Sequence, residues 1–121
     1  MSERPPLKIS VTEQMRQRVE SLAILLHTFQ VRGRFCNWGN KSRVERPSKL
    51  VQPRLISVGD RVHLGAHIWL NAANDRGDGR PTLNIGDDTY IGRFCQINAW
   101  RDVMIGCNVL IGDRVFISDA D

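Results

Sequence analysis

Long apolar runs are missing from this 121-residue chain. The longest, Leu22 to Leu26 (LAILL), falls far short of the ~20 residues that a bilayer-spanning helix needs. The opening MSERPPLK holds no apolar stretch of the signal-peptide kind, so a cytoplasmic protein is expected, with no transmembrane segment. Cysteine is scarce too. Cys36, Cys95 and Cys107 show neither CxxC spacing nor even pairing, which argues against a disulfide framework or a zinc ribbon and for inert thiols in a reducing compartment. Aromatics make up 7% of the chain and do not interleave with the basic residues as stacking platforms. With no nucleic-acid motif either, no nucleic-acid partner is expected.

Charge is present but unevenly placed. Residues 1–54 hold 11 Lys/Arg against 4 Asp/Glu, whereas residues 55–121 hold 6 against 9. A basic front half reads first as a solvated face, and second as attraction to an anionic, lipid-linked acceptor.

What the chain does have is a period of six. Val58, Leu64 and Leu70 form one set, Ile85, Ile91 and Ile97 a second, and Ile105, Ile111 and Ile117 a third, with a weaker set at Trp38, Val44 and Leu50. On a helix, residues six apart point in widely different directions, and the glycines inside these sets would each cost about 1 kcal/mol. A plain strand alternates at period two and then turns. A period of six with glycine after the aliphatic residue fits a short strand plus a turn, repeated as the sides of a triangular coil. One circuit takes 20 residues from 38 to 58 and from 85 to 105, but 27 from 58 to 85. The surplus falls on NDRGDGRPT, residues 74–82, whose Gly, Asp and Pro suit a protruding loop. Ser42, Ser48, Val62, Ile68, Thr89, Cys95, Val109 and Val115 occupy a second inward position, four after each aliphatic start. Stacking of both positions on the next coil would make the core.

Ahead of the coils, SVTEQMRQRVESLAILLHTFQV reads as a helix. Ser10 and Glu13 have capping-box spacing, Met15, Val19, Leu22, Leu26 and Phe29 lie along one stripe, and Gly33 follows as a stop. A terminal helix covering the first coil is expected, because an open solenoid end needs a cap. An amphipathic membrane-surface helix is the alternative, disfavoured by the mixed polar face of Glu13, Arg16, Arg18 and Glu20.

IGDDTYIGRFCQI and IGCNVLIGDRVFI resemble the hexapeptide-repeat acyltransferases, in particular the sugar and polysaccharide O-acetyltransferases. The likeness spans about residues 34–121 and is strongest from Val58 onward. It implies an all-β solenoid, a left-handed parallel β-helix of about four coils with an N-terminal α-helical cap. Residues 1–33 would be the capping segment and 34–121 the β-helix. The handedness comes from the resemblance alone, since crossovers between parallel strands are normally right-handed.

The resemblance also implies a chemistry. Acetyl-CoA would be the co-substrate, with no metal. The acceptor would be a sugar or lipid-linked oligosaccharide in surface-polysaccharide (O-antigen or exopolysaccharide) synthesis. A homotrimer with active sites between subunits is expected, cytoplasmic or peripheral to the inner membrane. Moving an acetyl group to a hydroxyl requires a general base, donors for the oxyanion and a groove for the pantetheine arm. Histidine suits the base, yet His27 falls in the helix, and His63 and His67 occupy different parts of a coil. In similar enzymes the base follows a segment like Ile117-Ser118-Asp119-Ala120-Asp121, so the catalytic histidine is expected immediately after Asp121 and none lies within the chain. On that reading the chain is a fragment lacking its C-terminal coils, and inactive as it stands. Asp119 would orient the base, and an exposed turn aspartate is the alternative.

For the acceptor, Asn98, Trp100 and Asp102 are the candidates, Trp100 by stacking on a sugar face. Asn98 reads equally well as a turn asparagine. Galactoside-type enzymes carry an asparagine and an aspartate where this chain has Phe94 and Ala99 or Trp100, which argues against a galactoside or maltose acceptor. Asp75, Arg76 and Asp78 would shape the acceptor entrance or form a solvated loop. Two rival functions remain: a non-catalytic trimerising scaffold, and a γ-carbonic-anhydrase-like protein sharing zinc through His63 and His67.

Overall fold

The computed structural model describes residues 10–120. Helix α1 (Val11–Val31) starts where the sequence says it should, with the Ser10 side chain accepting the Glu13 N–H at 3.1 Å. The reciprocal half of the capping box is not made, because the Glu13 carboxylate turns to the Arg16 guanidinium instead. Gly33 does not close the helix through a left-handed turn. It sits within a single 3-10 turn, Arg32–Arg34, that carries the chain into the first strand.

The rest of the chain builds three parallel sheets of four strands each. The first holds β1 (Asn37–Trp38), β4 (Ile56–Val58), β7 (Leu83–Ile85) and β10 (Val103–Ile105). The second holds β2 (Arg43–Val44), β5 (His63–Leu64), β8 (Tyr90–Ile91) and β11 (Leu110–Ile111). The third holds β3 (Ser48–Val51), β6 (Ile68–Ala72), β9 (Gln96–Ala99) and β12 (Phe116–Ser118). The chain visits the sheets in rotation and returns to the first after every third strand. This is the arrangement of a parallel β-helix.

Register follows the hexads. Trp38 pairs with Val58, Val58 with Ile85, and Ile85 with Ile105. Val44, Leu64, Ile91 and Ile111 align in the second sheet, and Leu50, Leu70, Ile97 and Ile117 in the third. These columns form the core, and Val44, Leu64, Ile91, Leu70 and Ile97 are fully buried. Each such side chain contributes about 1.5–3 kcal/mol by leaving water. The 27-residue circuit is explained by the segment from Ala73 to Thr82, which holds no strand and separates β6 from β7.

The corners between first- and second-sheet strands explain the remaining pattern. Ser42 and Thr89 are buried, and each hydroxyl bridges to the following layer. Ser42 Oγ donates to the Gly59 carbonyl and accepts the Val62 N–H, while Thr89 Oγ1 donates to Gly106 at 2.8 Å and accepts from Val109 at 3.3 Å. Thus two of the small inward residues satisfy backbone groups where the strand ladder is interrupted. At the corners between second- and third-sheet strands glycine is required for a different reason: a Cβ on Gly65 would lie 2.6 Å from the backbone carbon of Gly92 in the next layer.

Helix α1 covers less of the core than its periodicity suggests. Thr28 and Val31 are its buried residues; Thr28 Oγ1 accepts the Val44 N–H at 3.0 Å, and His27 Nε2 lies 3.0 Å from Ser48 Oγ. The Met15–Phe29 stripe faces the other way and stays exposed. Among the described residues, no helix is long and apolar enough to cross a membrane.

Candidate functional site

The third corner, where the last strand of one layer hands over to the first strand of the next, breaks the hexad rule. After β9 the chain runs Trp100-Arg101-Asp102 before β10, and after β12 it continues through Asp119. Three successive N–H groups of the lower loop converge on one carboxylate. Asp119 Oδ1 accepts from Trp100 at 2.7 Å, and Oδ2 accepts from Arg101 at 3.0 Å and Asp102 at 2.7 Å. Burial acts to raise the pKa of this carboxyl, but the N–H groups of Asp102, Trp100 and Arg101 outweigh it and hold the group below its ordinary value. The anion is therefore firmly ionised near neutral pH.

Beside this clamp lies a cavity of about 350 Å³ lined by Ala73, Asp75, Trp100, Arg101, Asp119 and Ala120. Of the residues singled out from sequence, Trp100, Asp119 and Asp75 thus share one site. Asp102 joins through its backbone N–H. Asn98 does not line the cavity. It lies within β9, aligned with Asn71 and Ser118 across the third sheet, and its Oδ1 accepts from Gln96 Nε2 at 3.2 Å. The turn reading of Asn98 is therefore corrected, because a strand residue cannot close a turn on its own backbone. Within the loop, Asp75 donates its N–H to the Trp100 carbonyl at 3.2 Å. Arg76 and Asp78 are engaged elsewhere: Arg76 donates to the Pro81 carbonyl at 3.0 Å, and Asp78 pairs with Arg80 at 2.9 Å.

Sequence reasoning missed Arg101, which lines the cavity and whose N–H is held by Asp119. Its only signal was position, between Trp100 and Asp102 in the one stretch of that layer outside the period. Also missed was Glu45. Its carboxylate sits 3.4 Å from His63 Nε2 and 3.9 Å from Arg93, and it accepts the Ala66 N–H at 3.0 Å.

The histidines lie apart from the cavity. His27 anchors α1 to Ser48, and burial first, then the nearby Arg46, lowers its pKa. His63 stands on the second sheet, stacked on Tyr90 with ring centroids 5.1 Å apart. His67 occupies the following corner in a left-handed conformation and stacks on Phe94 at 4.5 Å. Among the described residues, no three His, Cys, Asp or Glu side chains converge as a metal-binding group.

A tryptophan, an arginine and two aspartates lining a concave space are residue types that can hold a polyhydroxylated ligand: a ring covers an apolar face while charged groups take hydroxyls. Comparison of the chain with protein families, curated proteins and solved structures finds no match in any of the three, so the case for a function rests on these residues and their geometry.

Proposed function

We propose that this chain is the acceptor-binding part of an acetyl-CoA-dependent sugar O-acetyltransferase of surface-polysaccharide synthesis, built as a left-handed β-helix of about four coils and working as a cytoplasmic homotrimer. The observation that carries the reading is the cavity at the third corner, where Trp100, Arg101, Asp75 and Asp119 meet on a scaffold whose hexads resemble those enzymes. Trp100 would stack on the sugar ring, and Asp75 and Arg101 would bind its hydroxyls or an adjoining phosphate.

In the reaction, the acceptor hydroxyl oxygen attacks the thioester carbonyl carbon, a base takes the hydroxyl proton, and the C–S bond breaks to release the thiol, which receives a proton. On this reading none of His27, His63 and His67 is the base, since none lines the cavity. Asp119 then serves as the clamp that fixes the Trp100–Asp102 backbone in place.

The experiment is titration of the folded chain with acetyl-CoA and, separately, with candidate sugars, followed by calorimetry. Saturable binding of acetyl-CoA, competed by free coenzyme A, is expected. A folded chain that binds neither ligand supports the scaffold reading instead.

A further inference from the structure

The exposed stripe of α1 has a spacing of its own. Met15, Val19, Leu22, Leu26 and Phe29 follow one another at steps of four, three, four and three. This is the a/d pattern of a helix that packs along its length against another helix. The opposite face is already committed. Val31 is buried and Ile24 half-buried at the heptad position facing away from that seam, and Thr28 is hydrogen-bonded to Val44. The helix is therefore two-sided, with one face fixed to the first layer of the solenoid and the other turned to solvent.

The open face is large. Val11 is 73% exposed, Val19 66%, Phe29 65% and Met15 62%, with Leu22 and Leu26 at 57% and Leu25 at 47%. Together these side chains expose on the order of 700 Å², beyond the few hundred a monomer's largest patch usually reaches and close to the ~800 Å² each partner contributes to a standard interface.

The charges flanking the stripe suit a protein seam better than a lipid surface. A helix lying on an anionic membrane carries lysine and arginine along its polar face. Here the face opposite the seam carries Gln17, Glu20, Ser21, His27 and Thr28 and no lysine or arginine, and Arg16 beside the seam is paired with both Glu13 and Glu20. The other seam-flanking positions are Ala23, Leu25 and Gln30, which carry no charge, and Arg18. With Arg16 offset by two glutamates, the stripe carries little net charge along its rim to repel an identical helix, as an interface between identical chains requires.

We propose that the Met15–Phe29 face of α1 is a homotypic seam, packing against the same helix of a second copy of this chain. The proposal is independent of the acetyltransferase reading and of assembly through the solenoid faces.

The test is the mass in solution of the full chain by sedimentation and light scattering, beside the double variant Leu22→Gln/Leu26→Gln and the control Leu110→Gln on the outer face of the second sheet. Both seam residues are solvent-exposed within one chain, so the double variant keeps its fold, which circular dichroism verifies. The expected result is an oligomeric wild type whose mass falls at least twofold in the double variant and is unchanged in Leu110→Gln. A monomeric wild type, or an oligomer whose mass the seam substitutions leave intact, overturns the proposal. So does a monomer that binds anionic phosphatidylglycerol vesicles through this stripe, which would make the partner a lipid surface.

Discussion

Asp119 and Trp100 lie in different layers, yet the carboxylate of one accepts the backbone N–H of the other at 2.7 Å. That contact and its two companions close the third corner and set the wall of the cavity.

Asp119→Ala leaves three N–H donors of the Trp100–Asp102 loop without their acceptor, in a corner that water partly reaches. The expected loss is about 1–2 kcal/mol of unfolding free energy, less than three charge-assisted bonds in a dry interior would give. Asp119→Asn, which keeps one oxygen, loses less. Because the folded carboxyl has a lowered pKa, its stabilisation is present above the unfolded value of about 3.9 and is lost as the pH falls through the folded value. Urea titrations from neutral to acidic pH therefore show wild type and Asp119→Asn converging at the acid end. A gap that stays constant with pH would rule out the clamp.

Two glycines at equivalent corners respond differently to alanine. A Cβ on Gly65 meets backbone atoms of Gly92 and Arg93 at 2.6–2.8 Å, whereas a Cβ on Gly112 meets nothing within 4 Å. Gly65→Ala forces the next layer apart and costs about 1–3 kcal/mol, as overpacking does. Gly112→Ala stays within about 0.5 kcal/mol of wild type, the range of an uncrowded surface substitution. Thermal melts of the two variants side by side decide it, and equal shifts would sink the stacking argument.

The three thiols divide by burial. Cys36 and Cys107 are exposed, and Cys95 is buried with its Sγ 3.1 Å from the Gly112 carbonyl. A thiol reagent added to the native chain labels Cys36 and Cys107 quickly, and Cys95 only after denaturant is added. Rapid native labelling of Cys95, read by peptide mass spectrometry, would contradict the packing.

The solenoid core was legible because a parallel β-helix repeats one environment at a fixed interval. A residue such as Ile91 has the same neighbours above and below as Leu64, and the residue type repeats with the environment. Even the 27-residue circuit left the columns aligned, because the surplus lies wholly in a loop. The site was only partly legible. Trp100 and Asp119 were found by resemblance, whereas Arg101 escaped because corner residues outside the period carry no pattern. The Glu45–His63 contact was invisible for another reason: 18 residues separate the pair, and they meet only once one layer is laid on the next. Helix α1 shows the limit most directly. Periodicity shows that Met15 and Leu22 share a face, but the contacts of Thr28 and Val31 decide which face the solenoid takes.

The hydroxyls of Ser42 and Thr89 have a mechanical consequence. Each reaches forward to the following layer, while Val62, between them in the same column, sends nothing on. At this corner the Val58 and Ile85 layers are joined by the Asp88 N–H on the Asp60 carbonyl at 2.9 Å, by Asp87 accepting the Asp60 N–H at 2.8 Å and by the exposed Arg61–Asp88 pair at 2.6 Å. Dissolved ions screen a surface pair of that kind but leave a buried hydroxyl untouched. The stack is thus laminated in two grades, with buried rivets joining alternate plies and a salt-sensitive clasp at the ply between. In strong brine that clasp loosens first, while the ladder of N–H and carbonyl groups still holds the ply.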